Sequence, residues 1–132
     1  ISAQVMVDAI PVTVLAIHAY ASLETDGYVR WEAQMDALRD QLAERPERMI
    51  VAGDFNDWNE KLDHILTDAG LERATRPNGV RVPTFPSMIP VLTLDRVYTR
   101  GLSCVNMMVP RGEAWARMSD HLPLVVELEL KA

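Results

Sequence analysis

Four groups of polar residues stand where apolar, strand-like runs give way to loops: His18, Asp54 with Asn56, Asp95, and Asp120 with His121. Carboxylates hold hard cations such as Mg²⁺ and can orient water. A side-chain amide offers a neutral donor to a phosphoryl oxygen. A histidine moves a proton near neutral pH, and a neighbouring carboxylate fixes its tautomer and raises its pKa. Hydrolysis of a phosphate ester needs a divalent cation, a placed water, donors for the growing negative charge and an acid for the leaving oxygen. The four groups contain these residue types, short of a complete metal cage.

Each group also has a plainer reading. Asp54 and Asn56 could cap a turn with their side chains, and Ser119-Asp120 could open a strand. His18 could be a satisfied strand-end histidine. Asp95 is harder to set aside, because it interrupts the apolar run Val91–Tyr98. A carboxylate among packed residues is costly unless it is paired or used. Arg96 follows it, but successive strand residues point to opposite faces, so Arg96 is not an obvious partner.

The elements that would position these residues are readable from periodicity. Gln4–Asp8 and Val12–Ile17 read as strands joined through Ala9-Ile10-Pro11, with His18 at the end of the second. Tyr28, Trp31, Met35, Leu38 and Leu42 recur at helical spacing, which makes them a core stripe rather than a ligand platform. Thr25 or Asp26 would start this helix and Arg45-Pro46 would end it. Arg48–Ala52 reads as a strand running into Gly53-Asp54-Phe55-Asn56. A second helix is expected from about Asn59 to Ala69, with Leu62, Ile65, Leu66 and Ala69 inward, Gly70 as its cap and His64 on the surface. Residues 75–91 read as a surface loop with a turn at Asn78-Gly79 and a short extended piece at Thr84-Phe85. Leu92–Thr99 and Ser103–Val109 read as strands joined at Arg100-Gly101, residues 110–118 as loop, and Leu122–Leu130 as a last strand. Strands and helices mixed in this order predict an α/β (α+β) fold: a mixed sheet with helices on one face and hairpins at both ends.

The chain has 132 residues and a net charge of −6, which counts against a tight grip on nucleic acid. Its single cysteine, Cys104, excludes an internal disulfide and reads as a buried structural thiol. No apolar run approaches the roughly 20 residues of a membrane span. A cytoplasmic setting is the expectation, with a membrane-tethered parent left open. The chain opens at Ile1 directly in a strand, without an initiating methionine, which reads as part of a longer protein.

The order of the motifs carries a resemblance. Ile50-Val-Ala-Gly-Asp-Phe-Asn56 resembles the Gly-Asp-Phe-Asn signature of the endonuclease/exonuclease/phosphatase superfamily. Leu94-Asp-Arg-Val-Tyr98 resembles its Asp-bearing strand, and Ser119-Asp-His-Leu-Pro123 its Ser-Asp-His-x-Pro signature. Ala16-Ile-His18 stands where the family carries an Asn-x-His strand end, and Pro83–Asp95 looks like small bacterial members. The likeness runs from about Val12 to Leu130.

The resemblance implies one 1–132 unit, the C-terminal half of a DNase I-like four-layer sandwich whose N-terminal half is absent. It implies that Asp54 activates water, Asn56 holds a phosphoryl oxygen, Asp95 supports the metal or the site histidine, and His121 transfers a proton beside Asp120. His18 would donate to the phosphate or leaving group. Mg²⁺ or Mn²⁺ is implied, with Asp54 and Asp120 as partial ligands and the main glutamate outside this chain. Glu24, Glu32 and Glu44 lie in helical context and do not match it. Trp58, Thr84 and Phe85 are candidate substrate-lining residues. The expected partners are a phosphoester substrate and, across an exposed apolar sheet face, either the missing half or a second copy.

Three function classes follow. The first is a metal-dependent phosphodiesterase or phosphatase, acting on small or lipid-derived phosphoesters in preference to nucleic acid. The second is a non-catalytic interaction module that keeps the fold. The third is a nuclease, which would require Arg76, Arg81, Arg96, Arg100, Arg111 and Arg117 to gather around His121.

Overall fold

A computed structural model describes residues 1–21, 26–45 and 47–132. The expected helix start at Thr25 and stop at Pro46, and the setting of Glu24, lie outside the described residues. The chain opens with β1 (Ser2–Val7) and β2 (Ile10–His18), paired antiparallel across a two-residue turn at Asp8-Ala9, both at positive φ. Two successive residues in that region match the hairpin twist. Ile10 and Pro11 therefore belong to β2, not to the connection as expected. Pro11 lies opposite Met6 on the edge strand.

Helix α1 (Gly27–Ala43) follows, then β3 (Met49–Asp54), α2 (Leu62–Thr67) and the short β4 (Glu72–Arg73). Asp26 occupies the cap position of α1 without a capping bond and pairs instead with Arg30 at 3.0 Å. The second helix is shorter than its apolar stripe suggested. It stops at Thr67 with Asp68 in the cap position, and Gly70, at φ +77, closes the turn that follows, its amide donating to the Thr67 carbonyl at 2.9 Å. After the loop come β5 (Asp95–Arg100) and β6 (Leu102–Met108), α3 (Glu113–Met118) and β7 (Val125–Leu130).

A five-stranded mixed sheet has the order β1-β2-β3-β5-β4, with β2 and β3 parallel. β6 and β7 form a separate antiparallel pair. The expected β5–β6 hairpin is therefore not one. β5 is already flanked by β3 and β4, and Gly101 at φ +77 carries the chain into the second sheet. Alternation along β5 separates two cores. Tyr98 joins Trp31, Met35, Leu42, Met49, Val51, Leu62 and Leu66 beneath the helices. Val97 joins Met107, Leu122 and Val126 on the opposite side. Cys104 is half-buried at the margin of this second core, and burial raises its thiol pKa against the opposing pull of its bond to Asn106.

Candidate active site

Sheet register builds most of the site. His18 is the cross-strand partner of Asp54, and Asp54 is the partner of Asp95. Side chains at directly paired positions share a face. Three adjacent strands thus present an imidazole and two carboxylates in one row, on the face opposite the helices. Gly53 makes the close approach of β2 and β3 possible: it sits at φ +149, and an added Cβ would collide with the Ile17 carbonyl.

His121 reaches this row from the loop after α3. The segment is pinned by the Leu122 amide donating to the Thr84 carbonyl at 2.8 Å and the Ser87 amide donating to the Asp120 carbonyl at 2.7 Å. His121 Nδ1 meets Asp95 Oδ2 at 2.7 Å. A carboxylate only accepts, so Nδ1 carries the hydrogen and Nε2 is left to exchange a proton. That Nε2 lies 3.6 Å from Asp54 Oδ2, and His18 Nε2 lies 3.8 Å from the same oxygen. His18 is open to solvent, whereas Asp54, Asp95 and His121 are each about four-fifths covered.

The electrostatics follow from this crowding. Burial pushes the Asp54 pKa up and the charge of Asp95 adds to the effect, against the Asn56 amide that hydrogen-bonds the carboxylate. Burial alone would lower His121. The hydrogen bond and charge of Asp95, with the charges of Asp54 and Asp120, outweigh it and leave His121 above the ordinary histidine value.

The remaining expected residues fall in varied places. Asn56 is buried at φ +48 and donates through Nδ2 to the Ala19 carbonyl at 2.9 Å. Asp120 is exposed and stands outside the group that could hold a cation, which comprises Asp54, Asp95 and His121. Of the expected ligand pair, Asp54 lies within this group among the described residues and Asp120 does not, while Asp95 supplies a second carboxylate. Their chemistry fits Mg²⁺ or Mn²⁺, since Mg²⁺ takes one or two carboxylates and keeps several waters. Phe85 packs on His121 at 4.7 Å between ring centroids, and Trp58 meets Phe85 edge-on at 5.7 Å. Thr84 is fully buried and does not line a cleft; its hydroxyl donates to Asp95.

Sequence reading missed Asp57. Its carboxylate accepts from the Lys61 and Leu62 amides at 2.9 Å each and binds Arg96 at 2.7 Å, on the helix side of the sheet. An aspartate just ahead of an apolar helical stripe was the available signal. Of the six arginines a nuclease would need, Arg111 lines a cleft with Leu122, beside His121, and the others have partners of their own. Arg76, Arg81 and Arg100 bind Met107, Glu60 with Asp63, and the carbonyls of Leu42, Arg45 and Ala69. Arg96 is buried on Asp57, and Arg117 pairs with Glu113.

The profile of the Endonuclease/Exonuclease/phosphatase family matches residues 4–121. This chain belongs to that family. Members of the endonuclease/exonuclease/phosphatase family are hydrolases of phosphoester bonds and commonly use divalent metals. Among relatives, the uncharacterized protein YbhP of Escherichia coli (strain K12) is 40% identical over 103 residues, 75% of this chain and 41% of YbhP. A UPF0294 protein of Yersinia pestis is 35% identical over 121 residues, covering 88% of this chain and 42% of that protein. The chain thus spans about two-fifths of the length of these relatives. The crystal structure of the endonuclease/exonuclease/phosphatase from Beutenbergia cavernae DSM 12333 superposes with a TM-score of 0.72 at 19% identity, over 98% of this chain and 38% of that one. The fold is DNase I-like. Among the described residues, no helix is long and apolar enough to cross a membrane.

Proposed function

We propose that this chain carries the C-terminal catalytic half of a divalent-metal-dependent phosphodiesterase or phosphatase. The observation that carries the reading is the convergence at Asp54 Oδ2: His121, held through Nδ1 by Asp95, and His18 both direct Nε2 towards it. Asp54 orients the attacking water and withdraws its proton. His121, with its raised pKa, supplies the proton to the leaving oxygen. Asp95 fixes the ring, and Thr84 fixes Asp95. His18 offers a donor to a phosphoryl oxygen, the buried Asn56 holds the turn after Asp54 through its bond to the Ala19 carbonyl, and Asp120 acts on His121 through its charge. A bound Mg²⁺ or Mn²⁺, held by Asp54 with Asp95 beside it, would neutralise the charge that develops on phosphorus oxygens. The carboxylates of this chain would be only part of the cation's ligand set, with further ligands supplied from outside these 132 residues.

A small or lipid-derived phosphoester fits better than nucleic acid. The chain is acidic, and Arg76, Arg81, Arg96 and Arg100 are engaged with groups other than His121. The cleft beside His121 is walled by Trp115, Met118, Leu122 and Pro123, with Met88 and Ile89 exposed nearby. The open sheet face, with Val5, Val7 and Ala16 exposed, is where the rest of the domain or a second copy would pack.

The test is Mg²⁺- or Mn²⁺-dependent hydrolysis of an aryl phosphodiester by the full-length protein, beside His121→Ala and Asp54→Ala. Each variant should lose about 10²–10⁴-fold in kcat while remaining folded. A folded parent with neither activity nor any response to either metal would favour the interaction-module reading.

A further inference from the structure

Two buried residues outside the site are attached to it by a single peptide bond each. Arg96 follows Asp95, and Asp57 follows Asn56. Their side chains are both 1% exposed and meet at 2.7 Å on the helix side of the sheet. The Asp57 carboxylate also accepts the amides of Lys61 and Leu62, which open α2. Arg96 Nε donates to the Thr93 carbonyl at 2.7 Å, two residues before Asp95. A backbone bond from the Phe55 amide to the Leu94 carbonyl, 3.0 Å, ties the same two segments. One ion pair therefore joins the turn bearing Asn56, the start of α2 and the strand entry bearing Asp95.

The geometry points to Arg96 and Asp57 as positioning residues: their pair sets Asp54 and Asn56 against Asp95, and through Asp95 against His121, without meeting the substrate. The inference rests on the hydrolase reading of the site. Stability alone is a poor reason for such a pair, because a buried ion pair can often be replaced by apolar groups at no loss. Its form is what a spacer requires. The planar guanidinium holds the Asp57 carboxylate and the Thr93 carbonyl in one rigid fork, whereas a lysine ammonium is a single flexible point. Displacements of about 1 Å at reacting groups can cost about 10²-fold in rate.

Arg96→Lys in the full-length protein tests this by steady-state kinetics on an aryl phosphodiester with Mg²⁺, together with amide hydrogen exchange. The expected result is a fall in kcat of about tenfold or more with KM held within about twofold. Exchange should quicken at the Phe55 and Asn56 amides and stay unchanged across the β1–β2 hairpin. Parental kcat in a folded Arg96→Lys protein overturns the inference, as does a fall matched by faster exchange everywhere. If Arg96→Lys does not fold, Asp57→Asn with Arg96→Met removes both charges together, and the same readings apply to it. An inactive parent overturns the hydrolase reading instead. The exchange pattern then decides alone: local opening at Phe55 supports the clamp, and unchanged protection there overturns it.

Discussion

On the open side of the sheet Asp54 and Asp95 face one another in register, with two histidines beside them. On the helix side, one residue further along β5, Asp57 and Asp63 are met by Arg96, Arg73 and Arg81, and Asp63 also by the Tyr98 hydroxyl. Both clusters gather carboxylates, on opposite faces of the same sheet. The helix-side cluster is compensated by groups that remain cationic throughout the physiological range. The open-side cluster leaves two carboxylates opposed, with imidazoles and the neutral donors of Thr84 and the Asn56 amide beside them and, among the described residues, no arginine or lysine paired to either. Residual electrostatic strain of this kind is expected where groups must move protons or receive a cation.

The comparison is broken most directly by substituting one member on each side. Arg96→Met strands the Asp57 carboxylate in the interior and should cost about 3–5 kcal/mol of stability in denaturant unfolding. Asp54→Asn removes one of two like charges paired across β3 and β5 and should leave stability unchanged or raise it by about 0.2–1 kcal/mol, while hydrolysis is lost. A destabilising Asp54→Asn would mean that the open face is no less satisfied than the helix side.

Thr84 sharpens the contrast, since it is the buried donor behind the open-side pair. Thr84→Val keeps the shape and deletes the bond to Asp95. A hydrogen bond to a charged group contributes about 1.5–3 kcal/mol, and a loss near the lower end, felt through the orientation of His121, corresponds to about a tenfold fall in kcat. Thr84→Ser should restore most of the rate. Parental kcat in Thr84→Val would show that Asp95 is held well enough without it.

The positions legible in the sequence are those governed by short-range rules. Alternation alone put Asp95 and Arg96 on opposite faces, and the helical stripe from Tyr28 to Leu42 packs as its spacing requires. The strand-end placement of His18 and Asp54 followed from β-branched runs, and their pairing in register brings them to one row. What escaped depends on contacts between distant segments. Arg96 chooses Asp57 across 39 residues, and no local pattern names that partner. Thr84 looked available for substrate, whereas it is fully buried, with its carbonyl bonded to the distant Leu122 amide. Helix α3 has six residues and buries none of them, so it leaves no apolar stripe to read. The Arg100-Gly101 turn has hairpin chemistry, but β5 has its two neighbours already.

The smallest effect concerns the pH dependence of the helix-side cluster. Burial pushes the Asp63 pKa up, but the Tyr98 hydroxyl and the charges of Arg73, Arg96 and Arg81 outweigh it and hold it below the usual aspartate value. In the acid range the unfolded chain therefore binds a proton at this position more readily than the folded one. The stabilisation is fully present above the unfolded aspartate pKa of about 3.9 and is lost as pH falls through the lower folded value. Asp63→Asn removes that dependence. Its unfolding free energy should fall below the parent's at neutral pH by about 1–2 kcal/mol, the scale of a partly buried hydrogen bond to a charged group. The gap should narrow as the pH drops below about 4. Denaturant melts of both proteins across the acid range read this directly. A gap that stayed constant with pH would mean that Asp63 contributes through shape and hydrogen bonding alone, and the helix-side compensation would then rest on Asp57 and Arg96.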